Sequence, residues 1–219
     1  MPKKGKVRDF NTSSRKNSSA ERFKILEYDI TYDPIQDKNY DKLPDHIKDK
    51  VDNFYYMVQK NPDPATISDL ENLIKEFPNV PKLYNYLSIA YSRSKNREKF
   101  IEIVEKNYHI NPDYLFARLN YAEVCIQHGD YEKIARIFDY KFDLKLLYPK
   151  RNKFHISEVA NFMGVMGIYF LKMDKREIAE NYYKILSEIA DDYPITKKLH
   201  KQLYPGLLKR IHKSMIGKR

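Results

Sequence analysis

The sequence predicts an all-α protein built from stacked helical hairpins, and three observations support this fold class. Groups of large residues recur along the chain at a fixed spacing of 34 positions. Within each group, apolar residues fall three, four or seven positions apart, which is the period of an amphipathic helix. Only 6 glycines and no tryptophan occur among the 219 residues, and this composition argues against a β-sandwich with many tight turns.

The repetition is clearest between two adjacent copies. Each residue of the first copy stands 34 positions before its counterpart in the second, so that Tyr84, Leu87, Ser88, Tyr91, Phe100 and Val104 precede Arg118, Tyr121, Ala122, Cys125, Ile134 and Phe138. A third copy follows the second at a uniform offset of 44 and consists of Phe162, Val165, Met166, Tyr169, Ile178 and Tyr182. This larger offset indicates an insertion of about ten residues around Lys141 to Lys153, whose leucines are expected to lengthen a helix.

One further hairpin is predicted before the clear copies. Its first helix begins at Leu43-Pro44-Asp45, ends near Asn61-Pro62, and carries an apolar stripe of Ile47, Val51, Phe54, Tyr55 and Val58. Its second helix begins at Pro64 and is stopped by Pro78, with apolar residues at Ile67, Leu70, Leu73, Ile74 and Phe77. In the later copies, Gly129-Asp130-Tyr131 and Met173-Asp174-Lys175 supply the turns between helices.

This pattern resembles the tetratricopeptide repeat, in which each unit is a helix, a short turn and a second antiparallel helix. The resemblance spans residues 44 to 194, and its most specific segment is Pro81 to Tyr114. It implies a right-handed α-solenoid of three to four helical hairpins with a C-terminal capping helix, whose first helices line a concave binding surface. The chain departs from the family pattern at Arg118, where a large aromatic residue is usual.

The family resemblance also implies a partner-binding groove, because residues between the core positions of each first helix face the concave side in tetratricopeptide proteins. The implied lining is Lys82, Asn85, Tyr86, Ile89, Phe116, Asn120, Glu123 and Met163. Relatives that grip the acidic C-termini of heat-shock chaperones use a clamp of lysines, asparagines and an arginine, and only Asn120 matches that clamp. The apolar and aromatic lining implies instead an extended or helical peptide with apolar anchors.

Two glycines lie within the longest apolar run of the chain. The segment Gly164-Val165-Met166-Gly167 matches the GXXG motif of KH domains only superficially, because that motif needs an exposed basic loop. Inside an apolar helix, small residues allow close helix packing or open a groove. The run from Val159 to Leu171 has 13 residues, which is too short to span a bilayer.

The positive charge is concentrated at the two ends of the chain. Residues 1–24 carry a net charge of +6 and residues 195–219 carry +8, against +10 for the whole chain. The sequence therefore predicts a basic disordered tail at 1–24, a linker at 25–43, the repeat domain at 44–194 and a basic amphipathic helix at 195–219.

The C-terminal segment has two possible roles. Leu199, Leu203, Leu207, Leu208, Ile211 and Met215 recur near helical spacing, although Pro205-Gly206 is expected to break the segment into two helices. A solenoid needs a polar cap on its last repeat, and this segment suits that role. Alternatively, a basic helix binds anionic lipid, RNA or DNA, through the cationic residues Lys197, Lys198, Lys201, Lys209, Arg210 and Lys213.

Catalysis finds no support in the sequence. The six histidines are scattered, and none accompanies a nucleophile or a metal-binding motif. Cys125 and His128 lie three residues apart, but no other Cys or His has compatible spacing, and a lone cysteine usually packs as a small hydrophobe. We expect no enzyme activity, no cofactor and no metal. The single cysteine fits a reducing compartment, and the N-terminus does not read as a secretory signal, so we expect a cytoplasmic protein.

The sequence thus predicts a non-enzymatic scaffold or chaperone-like adaptor that binds a peptide segment of a partner protein in the concave groove of its repeats. The alternative is a nucleic-acid-associated or ribosome-associated adaptor that acts through its basic tails.

Overall fold

The protein is mostly helical, as predicted. The computed structural model describes residues 27–34, 37–60 and 62–206, and this part of the chain contains eleven helices and two short strands. The predicted N-terminal tail and residues 207–219 of the predicted C-terminal helix lie outside the described residues. None of the helices in the described ranges is both long enough and apolar enough to cross a bilayer.

The chain divides into two compact units. Unit 2 is one continuous stretch, 35–137, whereas unit 1 is assembled from residues up to Pro34 and from Phe138 onward. Unit 2 is therefore an insertion, in sequence, between the two parts of unit 1.

Unit 2 contains a short helix followed by three helical hairpins. The short helix is α1, Lys38–Asp41. The hairpin helices are α2, Asp45–Gln59; α3, Pro64–Glu76; α4, Pro81–Arg93; α5, Arg97–Ile110; α6, Leu115–His128; and α7, Tyr131–Ile137. Helices α2, α4 and α6 are the first helices of the hairpins, and α3, α5 and α7 are the second.

The helix ends of unit 2 follow from local sequence. Proline occupies the first helical position of α3 and of α4, where its missing N–H costs no intrahelical hydrogen bond. The side chain of Asn96 caps α5 by accepting from the backbone N–H of Lys99 at 3.1 Å. Helix α6 ends at Gly129, whose φ of +77° is the left-handed conformation that glycine adopts most readily.

The apolar stripes of the hairpins form the core of unit 2. In α2, Ile47, Val51, Phe54 and Val58 are all buried. The assignment of Tyr55 to this stripe is wrong, because Tyr55 lies one helical step beyond Phe54 and is 50% exposed. Tyr84 of α4 is fully buried, and its hydroxyl has no hydrogen-bond partner.

An ion pair between successive second helices recurs with the repeat period. Lys99 of α5 lies 3.4 Å from Glu71 of α3, and Lys133 of α7 lies 3.9 Å from Glu105 of α5. Both members of the second pair stand 34 positions after those of the first. In each case a tyrosine of a first helix donates its hydroxyl to the glutamate. The 34-residue period therefore appears in three-dimensional contacts as well as in the sequence.

Arg118 departs from the family pattern and has a structural role in unit 2. Its side chain is buried, with Nε donating to the carbonyl of Pro112 and Nη1 donating to the carbonyl of Ile137. The second carbonyl belongs to the last residue of α7, where no further helical turn supplies a donor. Arg118 thus joins the loop before α6 to the end of α7.

Unit 1 combines a two-stranded parallel ladder with four helices. Its elements are β1, Asp29–Thr31; α8, Leu144–Leu147; β2, Lys153–His155; α9, Ile156–Lys172; α10, Arg176–Ile189; and α11, Pro194–Leu203. In the ladder, Ile30 pairs with Phe154. The inserted residues before the third copy were expected to lengthen a helix. This interpretation is wrong, because they form the separate helix α8 and the strand β2.

Helix α9 is the buried centre of unit 1. Its twelve buried residues run from Ile156 to Phe170. Helix α11 packs closely against the two glycines of α9. A Cβ added at Gly164 would overlap Ile195, and one added at Gly167 would lie 2.6 Å from Cδ2 of Leu199. Of the two readings of this glycine pair, close helix packing is confirmed. Helix α11 ends at Leu203, before the predicted break at Pro205-Gly206.

Candidate interaction surface

The first helices of unit 2 carry most of the residues predicted to line a groove. Lys82, Asn85, Tyr86 and Ile89 lie on α4, and Phe116, Asn120 and Glu123 lie on α6. All are half-buried except Tyr86, which is 8% exposed. We call the patch formed by α1, α2 and α4 around Tyr86 the tyrosine cluster, defined by Tyr40, Tyr55, Tyr56 and Tyr86.

The ring of Tyr55 contacts two other rings of the tyrosine cluster. The ring centroids of Tyr55 and Tyr56 are 5.2 Å apart at an interplanar angle of 82°, and those of Tyr55 and Tyr86 are 6.4 Å apart. Tyr55 is 50% exposed, Tyr56 is 68% exposed and the following Met57 is 42% exposed. Three consecutive large side chains on α2 therefore present apolar surface to solvent, and the first of them lies beside a buried ring of α4.

A charged pair borders the tyrosine cluster. Tyr40 donates its hydroxyl to Oδ2 of Asp52 at 2.7 Å, and Nζ of Lys82 lies 4.0 Å from the centre of the Tyr40 ring and 3.9 Å from Asp52. Desolvation and the neighbouring Asp52 carboxylate raise the pKa of Tyr40 and of Tyr86 to about 12. Both phenols are therefore neutral hydrogen-bond donors at physiological pH.

An asparagine network links α4, α5 and α6. Oδ1 of Asn85 accepts from Nδ2 of Asn107 at 3.3 Å and from Nδ2 of Asn120 at 3.2 Å, while Nδ2 of Asn85 donates to the hydroxyl of Tyr114 at 3.1 Å. The carboxamide of Asn107 also accepts from Asn111 at 3.0 Å. This network fixes the orientation of the predicted groove residues Asn85 and Asn120, which the structure brings into direct contact.

Of the remaining predicted groove residues, Phe116 of α6 borders this network. The ring of Phe116 lies 5.8 Å from that of Tyr114 at an angle of 52°. Ile89 and Glu123 are half-buried. The outward face of the first helices thus alternates apolar rings with fixed amides, a combination that can hold a side chain and hydrogen-bond to a backbone.

Met163 is placed differently from the other predicted groove residues. It lies on α9 in unit 1 and is only 5% exposed. The neighbouring residue Gly164 is covered by Ile195 of α11. The side chain of Met163 is therefore nearly inaccessible to a docked ligand.

The described basic residues of the predicted C-terminal helix lie on α11. Lys197, Lys198 and Lys201 are exposed, and Nζ of Lys197 lies 3.5 Å from Asp192. Lys209, Arg210 and Lys213 lie outside the described residues.

The described residues contain no group of three or more His, Cys, Asp or Glu side chains that could hold a metal ion. Cys125 is 3% exposed, and burial raises the pKa of its thiol. His128, the other member of the sequence pair, is exposed. Cys125 therefore occupies the core position that its place in the repeat predicts.

The most exposed members of the surface were not among the predicted groove residues. Tyr55, Tyr56 and Met57 form three consecutive large residues in an amphipathic helix. A helix turns by about 100° per residue, so three consecutive positions cannot all face one core. That run was the signal in the sequence that could have identified them.

Comparison with known proteins does not extend this description. No family model matches the chain, and no curated protein matches it significantly.

Proposed function

We propose that the protein is a cytoplasmic, non-enzymatic tetratricopeptide-like scaffold. Its first helices α2 and α4 bind a segment of another protein at the tyrosine cluster. The segment presents an aromatic or aliphatic anchor that packs against the rings of Tyr55, Tyr56 and Tyr86.

The observation that carries this proposal is the exposure of three consecutive large side chains on α2. Tyr56 is 68% exposed, and its ring packs against that of Tyr55 rather than against the core. Tyrosine provides a large contact area, loses little conformational entropy when it is immobilised, and is enriched in protein interfaces. Holding such rings together in water keeps apolar surface exposed, which a partner side chain would bury.

The polar groups around the rings favour a peptide over a purely apolar ligand. Lys82 and Asp52 border the rings, and Asn85, the residue before Tyr86, belongs to the asparagine network that links α4 to α6. Carboxamides held in a fixed orientation can donate to and accept from the backbone of an extended segment. The apolar anchors of the bound peptide then supply affinity, while these polar groups of the protein fix the position of the peptide along the surface.

The repeated ion pairs support the tetratricopeptide-like assignment. The pairs Glu71 with Lys99 and Glu105 with Lys133 are related by the same 34-residue step as the core positions. A repeated contact between neighbouring units is what an architecture of stacked, equivalent hairpins requires.

The test is selection of peptides from a random phage-displayed library on the purified full-length chain, followed by fluorescence polarisation of the enriched peptides. We expect enrichment of sequences with an aromatic or aliphatic anchor, and at least a tenfold loss of affinity in Tyr56→Asp, since burying a carboxylate against the anchor is unfavourable. The matched control is Tyr140→Asp, a tyrosine that is 60% exposed in unit 1.

Two results would overturn the proposal. One is the absence of any enriched peptide. The other is enriched peptides that bind wild type and the Tyr56→Asp variant equally, with both proteins showing the same thermal unfolding.

A further inference from the structure

The solvent-facing side of α11 has an unusual composition. Its buried side is formed by Ile195, Thr196, Leu199 and Leu203. On the opposite side, Lys197, His200, Lys201 and Tyr204 fall at spacings of three, four and seven, so they share one face of the helix. All four are exposed. This exposed stripe contains cations and aromatic rings but no aliphatic side chain.

Three aromatic rings meet at the C-terminal end of this stripe. The ring of His200 lies 5.3 Å from that of Tyr183 on α10 and 5.3 Å from that of Tyr204, and the two tyrosine rings are 5.8 Å apart. Tyr204 is 40% exposed. The interplanar angles of these three ring pairs are 42°, 51° and 67°, so the rings are tilted against one another and no pair is stacked face to face.

One cationic side chain lies beside these rings. The guanidinium carbon of Arg176 lies 5.5 Å from the centre of the Tyr204 ring, and its Nη2 donates to the carbonyl of Leu203 at 2.8 Å. Two acidic groups face this surface, and both are paired: Glu180 lies 2.9 Å from Arg176, and Asp192 lies 3.5 Å from Lys197. Helix α11 itself contains no acidic residue.

We propose that the exposed stripe of α11, together with Tyr183 and Arg176, binds single-stranded nucleic acid. A base stacks on Tyr204, and Lys197 and Lys201 neutralise the phosphates that precede or follow it. This site is independent of the tyrosine cluster in unit 2, and it adds a second ligand class to the proposed scaffold.

The chemistry of the stripe selects this ligand. A duplex keeps its bases stacked inside, so it offers phosphates to the lysines but no free base to Tyr204. An anionic lipid surface binds amphipathic helices through an exposed aliphatic side, and the aliphatic side of α11 is buried against α9. Aromatic rings interleaved with cations match unpaired bases interleaved with phosphates.

The first experiment uses the absence of tryptophan from the chain. The Tyr204→Trp variant of the full-length protein carries a single indole at the proposed stacking position. Titration with oligo(dT) or oligo(rU) is expected to quench its fluorescence, because a stacked base contacts the indole. The matched control, Tyr140→Trp, places the indole at another exposed tyrosine and is expected to keep its emission.

The second experiment measures affinity by fluorescence anisotropy with the same oligonucleotides. We expect Tyr204→Ala to weaken binding at least about fivefold, and Tyr204→Phe, which keeps the ring, to bind like wild type. In the double variant Lys197→Glu, Lys201→Glu, the slope of log affinity against log salt is expected to fall by about 1.4. Lys172→Glu, an exposed lysine at the end of α9, is the charge control.

Three outcomes would overturn the proposal. The first is unchanged affinity in Tyr204→Ala, which would leave only charge attraction by other basic residues. The second is equal affinity for a duplex of the same length. The third is binding to phosphatidylserine vesicles that the oligonucleotides do not displace, which would assign the stripe to a membrane surface. Unequal affinities for oligo(dT) and oligo(rU) would support the site and would show whether it prefers single-stranded DNA or RNA.

Discussion

Replacing Gly164 with alanine tests the close packing of α9 against α11. A methyl group on Gly164 would overlap Cγ1 of Ile195 and would lie 3.1 Å from its Cγ2 and 3.2 Å from its Cβ. The Cβ atom is attached directly to the backbone of α11, so rotation of the side chain does not move it away. Helix α11 therefore has to shift to admit the methyl group.

Two opposing terms set the size of the effect. Carbon atoms in contact prefer separations of about 3.5–4.0 Å, so α11 has to move by several tenths of an ångström. Overpacking of this kind typically costs about 1–3 kcal/mol. Alanine in place of a helical glycine recovers about 1 kcal/mol of helix propensity. We expect Gly164→Ala to lower the free energy of unfolding by up to about 2 kcal/mol.

Urea unfolding followed by far-ultraviolet circular dichroism measures this effect. Ile195→Ala alone is expected to cost about 2–5 kcal/mol, because Ile195 is buried and leaves a cavity. In the double variant, the alanine at 164 fills part of that cavity. The loss should therefore be at least about 1 kcal/mol smaller than the sum of the single losses. Leu70→Ala in unit 2 is the control and should add to Gly164→Ala within about 0.5 kcal/mol.

A stabilising Gly164→Ala would refute the reasoning. Such a result would mean that only helix propensity had changed and that α11 does not cover this position. Strict additivity of Gly164→Ala and Ile195→Ala would lead to the same conclusion.

Three further predictions concern unit 2. Tyr84→Phe should stabilise the protein by up to about 1 kcal/mol in urea unfolding, since it removes a buried hydroxyl that has no partner. Hydroxyl groups donated by tyrosines hold the pKa of the Glu71 and Glu105 carboxyls below their usual range. The two ionised carboxylates therefore stabilise the fold above the ordinary pKa of 4.5, and this contribution is lost as the pH falls below it. The double variant Glu71→Gln, Glu105→Gln should consequently show a smaller drop in thermal unfolding temperature when the protein is acidified. Asn96→Ala removes the cap of α5 and should cost about 1 kcal/mol in urea unfolding.

Matched variants separate these predictions from general effects of substitution. Tyr182→Phe should be destabilising, in contrast to Tyr84→Phe, because the hydroxyl of Tyr182 donates to the carbonyl of Phe142 at 2.6 Å. A destabilising Tyr84→Phe would contradict the assignment of an unpaired hydroxyl. If the double glutamine variant loses as much stability on acidification as wild type, the two carboxylates add no net stability. Asn53→Ala, at an exposed position inside α2, should be nearly neutral, and a loss equal to that of Asn96→Ala would argue against capping.

Sequence patterns predicted the hairpins of unit 2 closely, because their signals are local. The helix start at Pro44-Asp45 and the stop at Pro78 agree with the bounds of α2 and α3. The ladder of β1 and β2 was not predicted. Each strand has only three residues, and a parallel pairing between distant segments leaves no periodic signal in either segment.

The candidate surface was predicted in part for a related reason. The repeat locates the first helix of each unit and the family resemblance its groove-facing residues, so Asn85 and Asn120 were both identified, and they do contact each other. The repeat contains no information about residues that occur in one copy only. Tyr55 and Tyr56 were therefore not predicted as members of the surface. The contact of Tyr40 with Asp52 and the packing of α11 against Gly164, next to Met163, were not predicted either.

The division of unit 1 into two separated stretches has a consequence for synthesis of the protein. Thr31 at the end of β1 precedes Lys153 at the start of β2 by 122 residues, which take a ribosome roughly ten seconds at about 5–20 residues per second. All of unit 2 is translated within that interval, so its hairpins can fold while β1 has no partner. Strand β1 is thus synthesised before all of unit 2 but reaches its native partner only after unit 2 has been translated.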